Sequence, residues 1–233
     1  MQSKPKLFCL TYAGGTAAFF DIIEKDLNGV EVVKLEYAGH GERHTEPFYK
    51  DFDQLADDVF ERIRNSLSGD YALFGYSRGS ISTVEVLKRI LSSDLPRPGH
   101  VFLAAHEPHT KSELLGFTTD ELDEWVKQRT IRFGDVPEKL LNNRVFWRTY
   151  LPIYRADYSI IAGYQFEALH LTTDIPAAVF YSETDTPFSE MKQWEKFFTG
   201  QISYHRFEGN HFFIRNHHEE MAKVITDELG VNE

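Results

Sequence analysis

Short apolar runs alternate with longer amphipathic segments, and this alternation constrains the fold more than any other feature of the sequence. Six runs rich in Val, Ile, Phe and Tyr have the length of β-strands: Lys6–Leu10, Val30–Tyr37, Tyr71–Gly75, His100–Ala105, Ala177–Tyr181 and Ile202–Phe207. Several are almost wholly apolar, which is typical of parallel strands that are covered on both faces.

Segments with the periodicity of amphipathic helices lie between or after these strands: Phe52–Ser66, Ser80–Leu91, Glu190–Phe198 and His217–Leu229. Strands that alternate with helices form parallel βαβ units. The pattern therefore predicts an α/β fold with a mostly parallel, doubly wound sheet. A length of 233 residues suits one domain, residues 1–233.

Residues from about 111 to 165 interrupt the alternation, because their pattern is mostly helical and contains no clear strand. This segment is rich in large aromatic residues: Trp125, Phe133, Phe146, Trp147 and Tyr150. We expect a helical lid inserted over one end of the sheet. The alternative is that these helices only extend the core.

The pentapeptide Gly75-Tyr76-Ser77-Arg78-Gly79 has the form G-x-S-x-G between a predicted strand and a predicted helix. This context is typical of the nucleophile elbow of α/β-hydrolases, in which a sharp turn exposes the serine at the carboxyl end of the sheet. Side chains in place of the two glycines would collide in such a turn. The motif predicts Ser77 as a nucleophile; a plain tight turn is the alternative.

A serine hydroxyl needs a base to accept its proton, and in this fold the base follows the nucleophile and the acid along the chain. His211 lies in the Gly-containing loop after the last predicted strand, which favours it as the base. His205 falls within that strand, and His217 and His218 begin a solvated helix.

The acid that orients the base is expected shortly after the strand Ala177–Tyr181. Asp185 has the favoured position, Glu183 is its competitor, and an ordinary turn-forming role for Asp185 is the alternative. For the oxyanion hole we expect the backbone N–H of Arg78 and that of Ala13, which lies in a glycine-rich loop after the first strand.

Several other functions have little support in the sequence. The net charge of −11 disfavours binding to a phosphate backbone. Cys9, the single cysteine, fits a buried strand position, and we expect a cytoplasmic protein because the chain has no signal-like segment or apolar run of about 20 residues. No metal-ligand spacing and no G-x-G-x-x-G pattern occurs, so no metal or cofactor is implied.

The chain resembles the type II, or stand-alone editing, thioesterases of nonribosomal peptide and polyketide synthesis over nearly its whole length. Beyond the elbow, the resemblance rests on Glu46-Pro47, on Trp194 and on four longer motifs: Leu7-Phe8-Cys9-Leu10-Thr11-Tyr12-Ala13-Gly14-Gly15, Tyr37-Ala38-Gly39-His40-Gly41-Glu42-Arg43, Leu151-Pro152-Ile153-Tyr154-Arg155-Ala156-Asp157-Tyr158 and Gly209-Asn210-His211-Phe212-Phe213. The pairing of the first loop with the LP…RAD motif is more specific than the elbow alone.

This resemblance implies a Ser77–Asp185–His211 triad and an oxyanion hole formed by Ala13 and Arg78. It further implies hydrolysis of acyl groups from the phosphopantetheine arm of acyl or peptidyl carrier proteins. We expect a monomer that needs no cofactor. The alternatives are a carboxylesterase of small oxygen esters and a catalytically silent binding protein on the same fold.

Two elbow residues depart from the family pattern, which usually reads Gly-His-Ser-Met-Gly. Tyr76 replaces the His and Arg78 replaces the Met. The Arg78 side chain is expected either to favour a polar or carboxylated acyl group or to point to solvent. Three other arginines are candidates for contact with the carrier: Arg129, Arg132 and Arg155.

Overall fold

The computed structural model describes residues 4–109, 114–134 and 136–231. Six strands form one sheet: β1 (Lys6–Leu10), β2 (Glu31–Leu35), β3 (Tyr71–Tyr76), β4 (His100–Ala104), β5 (Ala177–Tyr181) and β6 (Ile202–Arg206). Their order is β2-β1-β3-β4-β5-β6, and all five neighbouring pairs are parallel.

Helices connect the strands. The α-helices of the described residues are α1 (Asp21–Glu24), α2 (Phe52–Ile63), α3 (Arg78–Leu91), α4 (Thr119–Phe133), α5 (Glu138–Leu141), α6 (Arg144–Gly163), α7 (Phe188–Met191) and α8 (Ile214–Glu228). Short 3-10 helices occur at Ala17–Phe20, Gly41–Arg43, Arg64–Ser66, Phe166–Ala168 and Lys192–Lys196. No helix in this described part of the chain is both long and apolar enough to cross a bilayer.

The sheet is covered on both faces, as the apolar strands predict. In β1, Phe8 and Leu10 pack into a core shared with α2 and α3, whereas Leu7 and Cys9 pack into a second core shared with α1 and α8. Burial raises the pKa of the Cys9 thiol far above its ordinary value, so this side chain serves as a small apolar group. The parallel sheet with helices on both faces confirms the predicted α/β-hydrolase type of fold.

The predicted helical segment 111–165 contains α4, α5 and α6, while residues 110–113 and 135 lie outside the described residues. Side-chain caps explain where two of these helices begin. Thr118 and Glu121 form a reciprocal capping box at α4, and the Asn143 side chain accepts from two backbone N–H groups at α6.

The structure corrects several predicted boundaries. The predicted strand Val30–Tyr37 shortens to β2, and the predicted helix Glu190–Phe198 is instead the short α7 followed by a 3-10 helix at Lys192–Lys196. The Trp194 side chain within that 3-10 helix is buried and donates its indole N–H to the His106 carbonyl (2.9 Å). His217 does not begin α8 but lies at a kink inside it.

Candidate active site

Ser77 occupies a strained turn between β3 and α3. Its φ of 55° and ψ of −122° are unusual for a residue with a side chain, and strain of this kind costs about 1–3 kcal/mol. The flanking glycines permit the turn, because a Cβ on Gly79 would lie 1.9 Å from the Leu10 carbonyl oxygen. A Cβ on Gly75 would lie 2.3 Å from the Gly79 carbonyl oxygen. The turn therefore places Ser77 at the carboxyl end of the sheet.

The three residues predicted as a triad lie together. The Ser77 Oγ is 2.9 Å from Nε2 of His211, and Nδ1 of His211 is 2.8 Å from Oδ2 of Asp185. All three side chains are more than nine-tenths buried. An imidazole between a hydroxyl and a carboxylate can accept the hydroxyl proton while the carboxylate holds the ring orientation.

The competing residues lie elsewhere. Glu183 is exposed and accepts from the Phe188 N–H (3.4 Å), so it does not contact His211. The three other late histidines also have separate partners: His205 pairs with Ser203, His217 with Glu220 and His218 with Asp26.

The loop that carries His211 is fixed by its neighbours. The Tyr76 hydroxyl donates to the His211 carbonyl (2.8 Å), and burial keeps the pKa of that phenol well above its ordinary value, so it remains a donor. The Phe133 ring of α4 stacks on the imidazole at 4.2 Å between centroids. The Asn210 side chain donates to the Phe133 carbonyl (2.8 Å). Tyr76, which departs from the family pattern, thus restrains His211.

The loop after β1 borders Ser77 and carries Ala13, whose backbone N–H is predicted for the oxyanion hole. Gly14 donates its N–H to Oδ2 of Asp157 (2.6 Å) and is therefore not available to a substrate. In the described part of the chain, the N–H groups of Ala13 and Arg78 have no hydrogen-bond acceptor. Both residues are neighbours of Ser77. Arg78 follows it in the chain, and Ala13 borders the same two cavities as Ser77.

A buried charge network supports this loop; it consists of Arg78, Asp157, His40 and the Gly14 N–H. The Arg78 guanidinium is fully buried, pairs with Asp157 and lies over the Tyr37 ring at 4.1 Å. Nε2 of His40 is 3.0 Å from Oδ2 of Asp157. Both expectations for the Arg78 side chain were therefore wrong, because it meets neither an acyl pocket nor solvent.

Asp157 is charged within this network. Burial acts to raise the pKa of its carboxyl, but Arg78, His40 and the Gly14 N–H outweigh burial and hold the pKa below its ordinary value. Asp157 and His40 were not recognised as site residues from sequence. The available signal was that their motifs, Leu151–Tyr158 and Tyr37–Arg43, carried the family resemblance together with the first loop. The network explains this, because the three motifs meet at the Asp157 carboxylate.

Cavities border all three residues of the predicted triad. One of about 400 Å³ borders His211 and Asp185, with polar walls that include His106, Arg129 and Arg132. Two smaller spaces, of about 10 and 30 Å³, border Ser77 and share walls formed by Ala13, Arg129 and Tyr158.

Of the three arginines considered for carrier contact, Arg129 faces these cavities and Arg155 pairs with Asp123 (2.9 Å). Arg132 is exposed at the edge of the largest of the three.

Within the described residues, one group of side chains has metal-ligand character: Asp26, His218 and Glu219. Asp26 and His218 already pair at 2.7 Å, and they belong to the contact between α8 and the end of α1. Neither of the cavities that border Ser77 includes them.

With the fold and site described, similarity to known proteins identifies the class of the chain: residues 5–229 match the thioesterase domain family, to which the chain belongs. The chain is 28% identical over 217 residues to the medium-chain S-acyl fatty acid synthase thioesterase of Rattus norvegicus, covering 90% of this chain and 81% of that protein. It is 26% identical over 235 residues to linear gramicidin dehydrogenase LgrE of Brevibacillus parabrevis, covering 98% and 89%.

Among solved structures, ClbQ from the colibactin NRPS/PKS pathway superposes with a TM-score of 0.85 at 26% identity, covering 98% of each chain. Type II thioesterases of such pathways are also structural neighbours, and the resemblance inferred from the sequence motifs is confirmed. The dehydrogenase name of LgrE describes that protein; this sequence has no G-x-G-x-x-G dinucleotide motif.

Proposed function

We propose that this enzyme hydrolyses acyl thioesters on the phosphopantetheine arm of acyl or peptidyl carrier domains, and so clears stalled or mis-primed carriers. The observation that carries the proposal is the hydrogen-bonded series Ser77, His211 and Asp185 in a member of the thioesterase family. The pathway context comes from relatives such as ClbQ.

In the first half-reaction, the Ser77 Oγ attacks the thioester carbonyl carbon while Nε2 of His211 accepts the hydroxyl proton. Asp185 stabilises the imidazolium that forms. The carbonyl oxygen becomes an oxyanion and accepts hydrogen bonds from the N–H groups of Ala13 and Arg78. Collapse of this intermediate breaks the carbon–sulfur bond, and His211 gives its proton to the departing thiolate.

In the second half-reaction, water attacks the acyl ester on Ser77. His211 accepts a proton from that water, and the same two N–H groups bind the second oxyanion. Collapse releases the carboxylic acid and returns the proton to Ser77. The cycle needs no cofactor beyond the pantetheine that the substrate itself carries.

We assign the chain to a single domain, residues 1–233, in which the helical segment 111–165 is a lid. Phe133 of α4 covers His211, and Tyr154 of α6 packs where a Gly14 Cβ would stand. The cavity of about 400 Å³ has polar walls that suit the amides of a pantetheine arm, and the smaller spaces lie beside Ser77, to which the acyl group becomes attached.

The test compares hydrolysis of acyl groups on carrier protein with hydrolysis of the same acyl groups on coenzyme A and cysteamine, for wild type and Ser77→Ala. We expect carrier-dependent turnover that falls by several orders of magnitude in Ser77→Ala. Turnover of p-nitrophenyl esters without thioester turnover would indicate a general esterase. Failure of a fluorophosphonate to label Ser77 would indicate a silent binding protein.

A further inference from the structure

Arg129 is the cation that faces the candidate active site most directly. It lies on α4 and borders all three cavities described above: the polar one beside His211 and Asp185, and both small spaces beside Ser77. The small spaces have volumes of only about 10 and 30 Å³, so Arg129 and Ser77 border the same confined region. An acyl group on Ser77 is therefore attached at the edge of a region that Arg129 also borders.

Aromatic side chains hold the guanidinium in place. Its central carbon lies 4.4 Å from the Phe133 ring centroid, 5.0 Å from that of Trp125 and 5.8 Å from that of Tyr158. Nε donates to the Tyr158 hydroxyl (3.1 Å). Such contacts restrict the side chain without neutralising its charge. The group is consequently oriented before a ligand binds, which reduces the entropy cost of binding.

The positive charge of Arg129 has no carboxylate partner among residues 4–109, 114–134 and 136–231. Other arginines of the same region do: Arg78 pairs with Asp157, and Arg155 pairs with Asp123. The carboxylates of Glu107 and Glu190, which also border the largest of the three cavities, accept from Thr186 and Gln193 instead. A half-buried cation without a counter-ion favours an anionic ligand, because the local dielectric is low.

Two anions are available on a carrier-bound thioester: the phosphodiester and any carboxylate on the acyl chain. The phosphodiester lies at the far end of the pantetheine arm, away from the reacting carbonyl. A carboxylate one or two carbons from that carbonyl would lie in the confined region that Ser77 and Arg129 share. We propose that Arg129 is a specificity-determining residue that selects acyl groups bearing a carboxylate, such as malonyl; this rests on the proposed thioesterase function.

The test uses two acyl groups of similar size on one carrier protein: malonyl, which is anionic, and 3-methylbutanoyl, in which two methyl groups replace the carboxylate oxygens. Variants are Arg129→Gln, which removes the charge, and Arg129→Lys, which keeps it. Lys127→Gln removes the same charge from the same helix and is the matched control, since Lys127 borders none of the three cavities. Urea denaturation verifies that each variant is folded.

We expect wild type and Lys127→Gln to favour malonyl over 3-methylbutanoyl in kcat/KM by about 10-fold or more, in keeping with a charged hydrogen bond. Arg129→Gln should remove this preference by lowering the malonyl rate, and Arg129→Lys should retain part of it. Equal rates for both acyl groups in wild type, or an unchanged preference in Arg129→Gln, would overturn the proposal while the thioesterase function stands.

A separate binding measurement distinguishes failure of the function from failure of this inference. In Ser77→Ala, calorimetry compares the amide analogues of malonyl- and 3-methylbutanoyl-pantetheine, which cannot be hydrolysed. Tighter binding of the malonyl amide that is lost in Ser77→Ala/Arg129→Gln supports the anion subsite even if wild type cleaves no thioester. Equal binding of the two amides overturns it.

Discussion

Replacement of Arg78 by Met, the residue usual in related elbows, tests whether the buried charge network supports the loop after β1. Arg78 is fully buried, and its partner Asp157 is 2% exposed. The substitution leaves the Asp157 carboxylate with His40 and the Gly14 N–H but without its guanidinium partner. Breaking one side of a buried ion pair costs about 3–5 kcal/mol, a large part of the stability of a typical domain.

The loss should depend on pH in a defined direction. In wild type the pKa of Asp157 is below its ordinary value, so its contribution to stability is present above a pH of about 4 and is lost as pH falls through the lower folded pKa. Without Arg78, burial dominates and raises that pKa. The variant then gains stability from the protonated form at low pH and loses it as pH rises. The difference between wild type and Arg78→Met should therefore grow from pH 4 to pH 7.5.

Urea unfolding followed by tryptophan fluorescence measures this difference, because the chain contains three tryptophans. Asp157→Asn combined with Arg78→Met removes both charges and is the matched control. We expect the double variant to recover part of the stability lost in Arg78→Met, since no uncompensated charge remains. The kcat of Arg78→Met should also fall, because the Gly14–Asp157 hydrogen bond adjoins Ala13.

Two results would refute this reasoning. One is an Arg78→Met protein with wild-type stability at pH 7.5, which would mean that His40 and the Gly14 N–H satisfy Asp157 alone. The other is a double variant whose loss equals the sum of the losses measured for Arg78→Met alone and for Asp157→Asn alone, which would mean that Arg78 and Asp157 contribute independently.

Two further changes follow from the structure. Tyr76→Phe leaves the buried His211 carbonyl without its donor, so we expect a loss of about 1–3 kcal/mol in stability and a lower kcat with little change in KM; steady-state kinetics would contradict this if kcat were unchanged. Burial, partly opposed by Glu228, lowers the pKa of His100, so its stabilising neutral form is present above a pH of about 6.5 and is lost as pH falls. The variant His100→Phe preserves the packing on Phe102 and removes the titrating group. We expect its urea midpoint to fall less than that of wild type between pH 7.5 and pH 5.5. An equal fall in both proteins would exclude this explanation.

Much of the sheet and the order of the catalytic candidates could be predicted because they depend on local patterns. The strand runs, the elbow glycines and the loop positions of Asp185 and His211 are each recognisable within a few residues. Their meeting follows from the parallel sheet, in which the carboxyl ends of neighbouring strands share one edge. The prediction of one helix over Glu190–Phe198 was wrong, because the spacing of its apolar residues suits both an α-helix and the 3-10 turns that bury Trp194.

The role of Arg78 could not be predicted, because its partner lies 79 residues further along the chain on α6. A charged residue within an apolar helix pattern is usually exposed, and only the packing of α6 against the loop after β1 provides a buried counter-ion. Arg129 presents the reverse case. Its sequence context suggested a surface residue for carrier contact, whereas the fold of α4 turns it toward Ser77.

Phe133 links the entrance of the site to its chemistry. Its ring stacks on His211, and its carbonyl accepts from Asn210, the residue before the base. Any outward movement of α4 that widens the way to Ser77 must separate that ring from the imidazole and break the Asn210 contact. Such a movement would therefore also disturb the alignment of the base, and water that entered while α4 was displaced would meet a base that is not yet aligned.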